Sequence, residues 1–329
     1  MKIFAMILGL LVSAVCLYLV MCQVDLHEVW MAFKEADFIF IVWGWGFLCG
    51  FILFAALRWH FIFKAAVKSP GVKVLAGVIV MGFMGNSIFP ARLGEVLRIY
   101  VLKQKYGVKK AISLSTIIIE KLYDGIVLLS ILLLVLWFHQ ERWKEVVDAL
   151  IPVQNIALAA YGAIFIYAIA ITILLLMRAR VRLWIRWGRL CSVDDVRDRM
   201  NFVRGITSLS QIKFVMEILA ISLLMWTCAA GVILMCLKAS SLELSLEAPF
   251  FVLTMISIAC MLPSSPGFVG TLQFFVVAAL AFYHVEQAKA LGFSFLYHVV
   301  EFLPLTLIGL GLFLKSNLSW KGVQGELVS

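Results

Sequence analysis

The sequence predicts an all-α polytopic membrane protein: six transmembrane helices plus two re-entrant helical hairpins, arranged as two inverted repeats. Three observations predict it: an apolar composition, two apolar stretches broken in mid-course by Pro and Gly, and a lopsided placement of Lys and Arg. Of 329 residues, 64% are hydrophobic and 14% charged, with a mean hydropathy of +1.04. A soluble domain carries only about 45–50% apolar residues.

Taken in order, residues 3–22, 38–57, 112–138, 156–177, 214–237 and 290–314 are apolar runs near the ~20 residues that cross about 30 Å of hydrocarbon. The first run has only Lys2 as a basic leader and no small-residue cleavage site before Gln23, so it reads as a retained helix and not a signal peptide. Of the seven cysteines, all but Cys191 fall in apolar runs without CxxC spacing. They read as small buried hydrophobes, with neither disulfides nor a metal site expected.

Basic residues in short loops are retained on the cytoplasmic side. Segments 58–73, 92–110 and 178–213 hold most of the 28 Lys and Arg, so these loops and both termini are assigned to the cytoplasm. Lys34, Arg142, Lys144, Lys238 and Lys289 fall opposite, and Lys121 alone lies within a span. Segment 74–91 sits between two cytoplasmic loops, so it enters and returns. Segment 248–283, between 238–247 and 284–289, does the same from the other face. The chain then divides into a first repeat at 1–138 with a hairpin at about 74–102, an outer loop at 139–155, a second repeat at 156–314 with a hairpin at about 248–283, and a tail at 315–329. The basic linker 178–213 includes an expected amphipathic stretch with Leu183, Trp184, Ile185 and Trp187 on the bilayer surface. Broken helices at bilayer depth are tolerated only where they are buried or line a polar cavity, and inverted repeats with broken helices are a recurring transporter plan.

Charged residues inside the apolar runs mark the chemistry. Glu120 and Asp124, spaced i and i+4, share one helix face, while Lys121 projects about 100° from Glu120. Glu301 lies deep in the last run, close to His298 and Pro304, and Arg92, Glu95 and Arg98 recur every third residue after the first break. An intramembrane charge costs about 2.5–3.5 kcal/mol, so these groups pair, stay hydrated or hold a ligand. Arg92 with Glu120, or Arg98 with Asp124, are the expected pairs if they only staple the hairpin to its neighbour. If they hold a ligand, the returning half-helices, with Pro90 and Pro266 at their first positions, aim unsatisfied N–H groups at an anion, and Arg92, Arg98 and Lys121 add to them. The candidate binding residues for an anionic lipid headgroup are Asn86, Pro90, Arg92, Glu95, Arg98, Glu120, Lys121, Asp124, Pro266, Gly267, Gly270, Gln273 and Glu301. No catalytic residue, metal ligand or cofactor is expected.

Three motifs, Asn86-Ser-Ile-Phe-Pro-Ala-Arg-Leu-Gly-Glu-Val-Leu-Arg98, Ile119-Glu-Lys-Leu-Tyr-Asp124 and Pro263-Ser-Ser-Pro-Gly-Phe-Val-Gly270, together resemble the flippase-like membrane domain of lysylphosphatidylglycerol synthetases, in its stand-alone form. The resemblance implies a multi-pass protein of the bacterial cytoplasmic (inner) membrane that moves or presents a lipid. It matches Arg92, Glu95, Arg98, Glu120 and Asp124 to the family's polar positions. Relatives often carry an acid where this chain has Gln273, and no aminoacyltransferase domain is expected after residue 315. Expected partners are an anionic membrane lipid and a lipid-synthesising enzyme. Nucleic acid is not expected, because the net charge of +9 follows from the cytoplasmic bias of Lys and Arg. The rival readings are an accessory subunit of a lipid- or glycolipid-modifying enzyme and an intramembrane transferase acting on polyprenyl phosphate. Against the transferase, the chain has no phosphate-binding Gly-rich loop, HExxH or nucleophile elbow.

Overall fold

The computed structural model describes residues 2–21, 26–89, 93–138, 212–262 and 264–318, and every regular element among them is helical. In chain order these are α1 (Lys2–Met21), α2 (Leu26–Lys34), α3 (Phe38–Ala66), α4 (Val72–Ile88), α5 (Gly94–Tyr106), α6 (Lys110–Phe138), α7 (Ile212–Ala239), α8 (Ala248–Met261), a single 3-10 turn (Pro266–Phe268), α9 (Thr271–Ala281) and α10 (Gln287–Lys315). Helices thus occupy five of the six expected apolar runs. The sixth, at 156–177, lies outside the described residues, as do the outer loop 139–155, the amphipathic stretch of the linker, and the tail beyond 318. Among the described residues, three helices are long and apolar enough to cross a bilayer: Phe38–Ala65, Lys213–Ala239 and Gln287–Lys315. With 29 residues, α6 is as long as α10, but it carries Glu120, Lys121 and Asp124 in mid-course.

Both broken stretches fold back on themselves. After α4 the chain reverses within a few residues, and α5 lies against it so closely that a Cβ on Gly85 would sit 2.9 Å from the Gly94 Cα, and one on Gly82 2.8 Å from the Arg98 side chain. The second hairpin joins α8 to α9 through the 3-10 turn, with Phe251 and Phe282 rings 5.2 Å apart at its open end. The two hairpins open on opposite ends of the bundle. At one end, Asp37 N–H donates to the Ala239 carbonyl and Gln287 Nε2 to the Val20 carbonyl, which gathers the ends of α1, α7 and α10 beside the open end of α8 and α9. At the other end, α3 finishes next to the start of α4, and Gly77 faces Leu312 near the end of α10. That second end carries Lys64, Lys68, Lys73, Lys103, Lys105, Lys109, Lys110 and Lys315, whereas Glu35, Asp37, Glu243, Glu247 and Glu286 crowd the first.

Helices α3 and α7 run antiparallel in tight register. Gly231 receives the Phe47 ring, Gly50 meets Cys228 and Gly44 meets Met235, while Arg58 reaches Ser222. Exchanging α3 with α7, α4 with α8, α5 with α9 and α6 with α10 maps the packing onto itself: α4 packs on α10 and α8 on α6, and α3 on α4 and α7 on α8. Each hairpin is therefore braced by the long helix that follows the other one.

Helix α2, which lies between two of the expected spans, packs on α10 and presents an exposed Trp30. Helix α10 continues through Pro304, which has no N–H to give the Val300 carbonyl four residues earlier. Trp45 Nε1 on α3 donates to that carbonyl instead, at 3.2 Å. Trp45→Phe is expected to cost about 1 kcal/mol, the net worth of one such bond, read as a lower midpoint of unfolding in detergent.

Candidate functional site

Arg58 and Arg98 anchor a buried ion-pair network. Arg58, on α3, has a side chain only 2% exposed and lies 2.5 Å from the Asp124 carboxylate and 3.8 Å from Glu120. Its Nη1 also donates to Ser222 Oγ at 3.2 Å. Arg98, on α5, forks onto Glu120 through two bonds of 3.0 and 2.7 Å. Its guanidinium lies 3.9 Å above the Trp59 ring, whose Nε1 is held by Thr116 Oγ1 on α6. Lys121 pairs with Glu95 at 3.5 Å on a more exposed flank. The i, i+4 spacing did put Glu120 and Asp124 on one face, and Glu95 and Arg98 do face α6 together. The pairing differs from the expected staple: Arg98 takes Glu120, and Asp124 takes Arg58.

Arg58 was missed by sequence reasoning, which counted it as the first cation of a cytoplasmic loop. Helix α3 continues through it to Ala66. The signal was available, because Trp59, Phe61, Ile62 and Phe63 follow directly, and an arginine inside an unbroken apolar helix needs a carboxylate partner. With Arg58, Arg98 and Lys121 set against Glu95, Glu120 and Asp124, the cluster is neutral. Arg98 and Lys121 are already engaged, so they are not the ready phosphate ligands the sequence suggested. Among the described residues, the Nε of Arg58 and the Nε of Arg98 are buried donors without an acceptor.

The hairpin tips also depart from the expected form. Pro90 and Arg92 lie outside the described residues. Helix α5 starts at Gly94, and Asn86 Oδ1 accepts the Gly94 N–H at 2.8 Å. Pro266 opens the 3-10 turn, and α9 begins only at Thr271, so this proline does not open the returning α-helix. Gly270, at φ 91°, gives its N–H to Gln273 Oε1 at 2.7 Å. Each returning helix thus has one of its end donors satisfied by a side-chain amide.

The tips meet near the mid-length of the long helices. Gly267, at φ 68°, lies against the Ser87 carbonyl at the end of α4 and near His298 on α10. Ser265 N–H donates to Ser13 Oγ, midway along α1. Because Gln273 Oε1 is an acceptor, its Nε2 is the donor in the 3.3 Å contact with His298 Nδ1, which places the imidazole proton on Nε2. Glu301 lies one turn beyond His298 and takes a hydrogen bond from Tyr297. It forms no ion pair among the described residues, and its Oε2 is buried without a partner.

Long apolar helices, hairpins bent around Pro and Gly, and charges neutralised in the interior define a multi-pass membrane protein. The model of the family described as the lysylphosphatidylglycerol synthase TM region matches residues 6–309, and the chain belongs to that family. It is similar to two membrane proteins of Methanocaldococcus jannaschii, both described as UPF0104 membrane proteins. MJ1078 is 22% identical over 68% of this chain and 90% of its own length, and MJ1595 is 23% identical over 77% of each. It is also similar to the glycosyltransferase AglD of Haloferax volcanii, at 24% identity over 94% of this chain but 54% of that protein.

Proposed function

We propose that this protein is a lipid transporter that moves an anionic, phosphate-bearing lipid across the cytoplasmic membrane, with both hairpins re-entrant from opposite faces and both termini in the cytoplasm. The observation that carries the reading is the meeting of two oppositely opening hairpins, tip to tip, beside a buried network that holds two unpaired arginine N–H donors. Backbone of that kind is stable at bilayer depth only where it is buried in protein or lines a polar path, and rocking of symmetry-related halves about such a path is how inverted-repeat carriers alternate access. The lysine-rich end supports its assignment to the cytoplasm. The headgroup is held where the hairpin tips meet, with Arg92 supplying a cation to it. The acyl chains stay in lipid.

Purified protein in vesicles is expected to speed the exchange of a headgroup-labelled phosphatidylglycerol between leaflets, and Arg92→Ala to slow it without changing the unfolding midpoint. Conversion of the labelled lipid into a new covalent product would instead make the protein a transferase. A second reading, an accessory membrane module of a glycolipid-modifying enzyme, is favoured by the likeness to one half of a glycosyltransferase. Its mark is an unmoved lipid together with a co-purifying enzyme.

A further inference from the structure

We propose that Glu301 is a proton-carrying site, loading and releasing a proton on its carboxylate as the lipid path opens and closes. Only the coupling to lipid movement rests on the transport reading above; the proton site stands on its own geometry.

The packing symmetry singles this residue out. Helices α6 and α10 exchange under it, and both contain 29 residues. Asp124, the fifteenth residue of α6, therefore corresponds to Glu301, the fifteenth of α10. A carboxylate thus stands at the centre of both helices. Their surroundings differ in one respect: Asp124 has Arg58 beside it at 2.5 Å, and the positions that correspond to the two buried arginines carry no charge. Arg58 maps to Gly231 or Val232 on α7, and Arg98 falls within Gln273, Phe274 and Phe275 on α9. Among the described residues, the second half keeps the acid and omits its counter-ion.

Among the described residues, the groups facing Glu301 supply no charge to replace it. Tyr297 on its own helix donates a hydrogen bond, and His298 is one turn away. Cys236 on α7 is its other titratable neighbour, with Cys260 on α8 close to Tyr297. From α3 come Gly44 and Trp45, which touch Val300; α9 has no titratable residue, and α4 has only Lys73 near its start. Helix α2, packed on α10, bears His27, Glu28 and Lys34. A carboxyl buried at the middle of a membrane helix without a cation is stable when neutral, and ionises when the site opens to water. Glu120 and Asp124 lack this freedom, since losing their charge would strand two buried arginines.

The position also gives the proton something to act on. His298 contacts Gln273 and lies near Gly267 of the second hairpin tip, and Pro304, one turn past the acid, leaves the Val300 carbonyl without its helical donor. A charge appearing on Glu301 therefore draws water to the contact between tips.

Infrared spectroscopy of the full-length protein in lipid vesicles tests the site directly. A protonated-carboxyl band that fades as the pH rises is expected in the wild type and absent in Glu301→Gln. No difference between the two at any pH the protein tolerates would overturn the proposal. Coupling is tested in vesicles holding a trapped pH dye. Lipid exchange is expected to carry protons and to respond to an imposed pH gradient, and Glu301→Gln to lose both. Exchange without proton movement in the wild type would overturn the coupling and leave lipid transport standing. Failure of all exchange would overturn the transport reading, with the infrared titration still deciding the proton site.

Discussion

Arg58→Ala is expected to destabilise the folded protein by about 3–5 kcal/mol, the cost of leaving a buried carboxylate without its cation. Asp124 would lose its ion pair with Arg58, and Ser222 Oγ a donor. The loss is expected as a drop in the unfolding midpoint during titration with a denaturing detergent. The double variant Arg58→Met, Asp124→Leu is expected to recover most of it, because a buried pair replaced by apolar groups of similar size is often neutral or better. Wild-type stability in Arg58→Ala would mean that this arginine does not hold α3 to α6.

Gly94→Ala is expected to be nearly as damaging, about 3 kcal/mol or more, at the upper end for overpacking. Its methyl group would collide with the Gly82 carbonyl oxygen and lie 2.7 Å from the Asn86 Cγ. The carbonyl is backbone in the facing helix, so relief requires the two arms of the hairpin to part. That separation would also pull Arg98 away from Glu120, and transport is expected to fall with stability. Gly46→Ala and Gly311→Ala are the controls, since a Cβ at either meets nothing within 4 Å. In these helices they are expected to gain up to about 1 kcal/mol from helix propensity.

The positions of the helices were readable because long apolar runs and Pro/Gly breaks are the features a bilayer constrains most tightly. The local sharing of faces was also readable, since the i, i+3 and i, i+4 rules set Glu95 with Arg98 and Glu120 with Asp124. Which helix would supply each counter-ion was not, because that depends on packing between segments far apart in the chain. Arg58 and Asp124 are separated by 66 residues, and Arg58 and Ser222 by 164. The second tip was misread for a different reason. Pro suits the first turn of a helix, but Pro266 opens a 3-10 turn, and Gly267 and Gly270 with positive φ hold α9 off until Thr271. The correspondence of Asp124 with Glu301 became visible only when the lengths of α6 and α10 were known.

The hydrogen bond from Gln287 to the Val20 carbonyl joins parts of the chain 267 residues apart. A ribosome makes α1 long before α10, so this bundle cannot close until α10 has been made. Until then the face of α4 that later receives Gly309 is left to lipid, and the first hairpin lacks its brace. Non-local closure of this kind is slow, which makes the half-made chain the form most in need of an insertase or chaperone, and makes loss of the last helix a defect of biogenesis before it is one of activity.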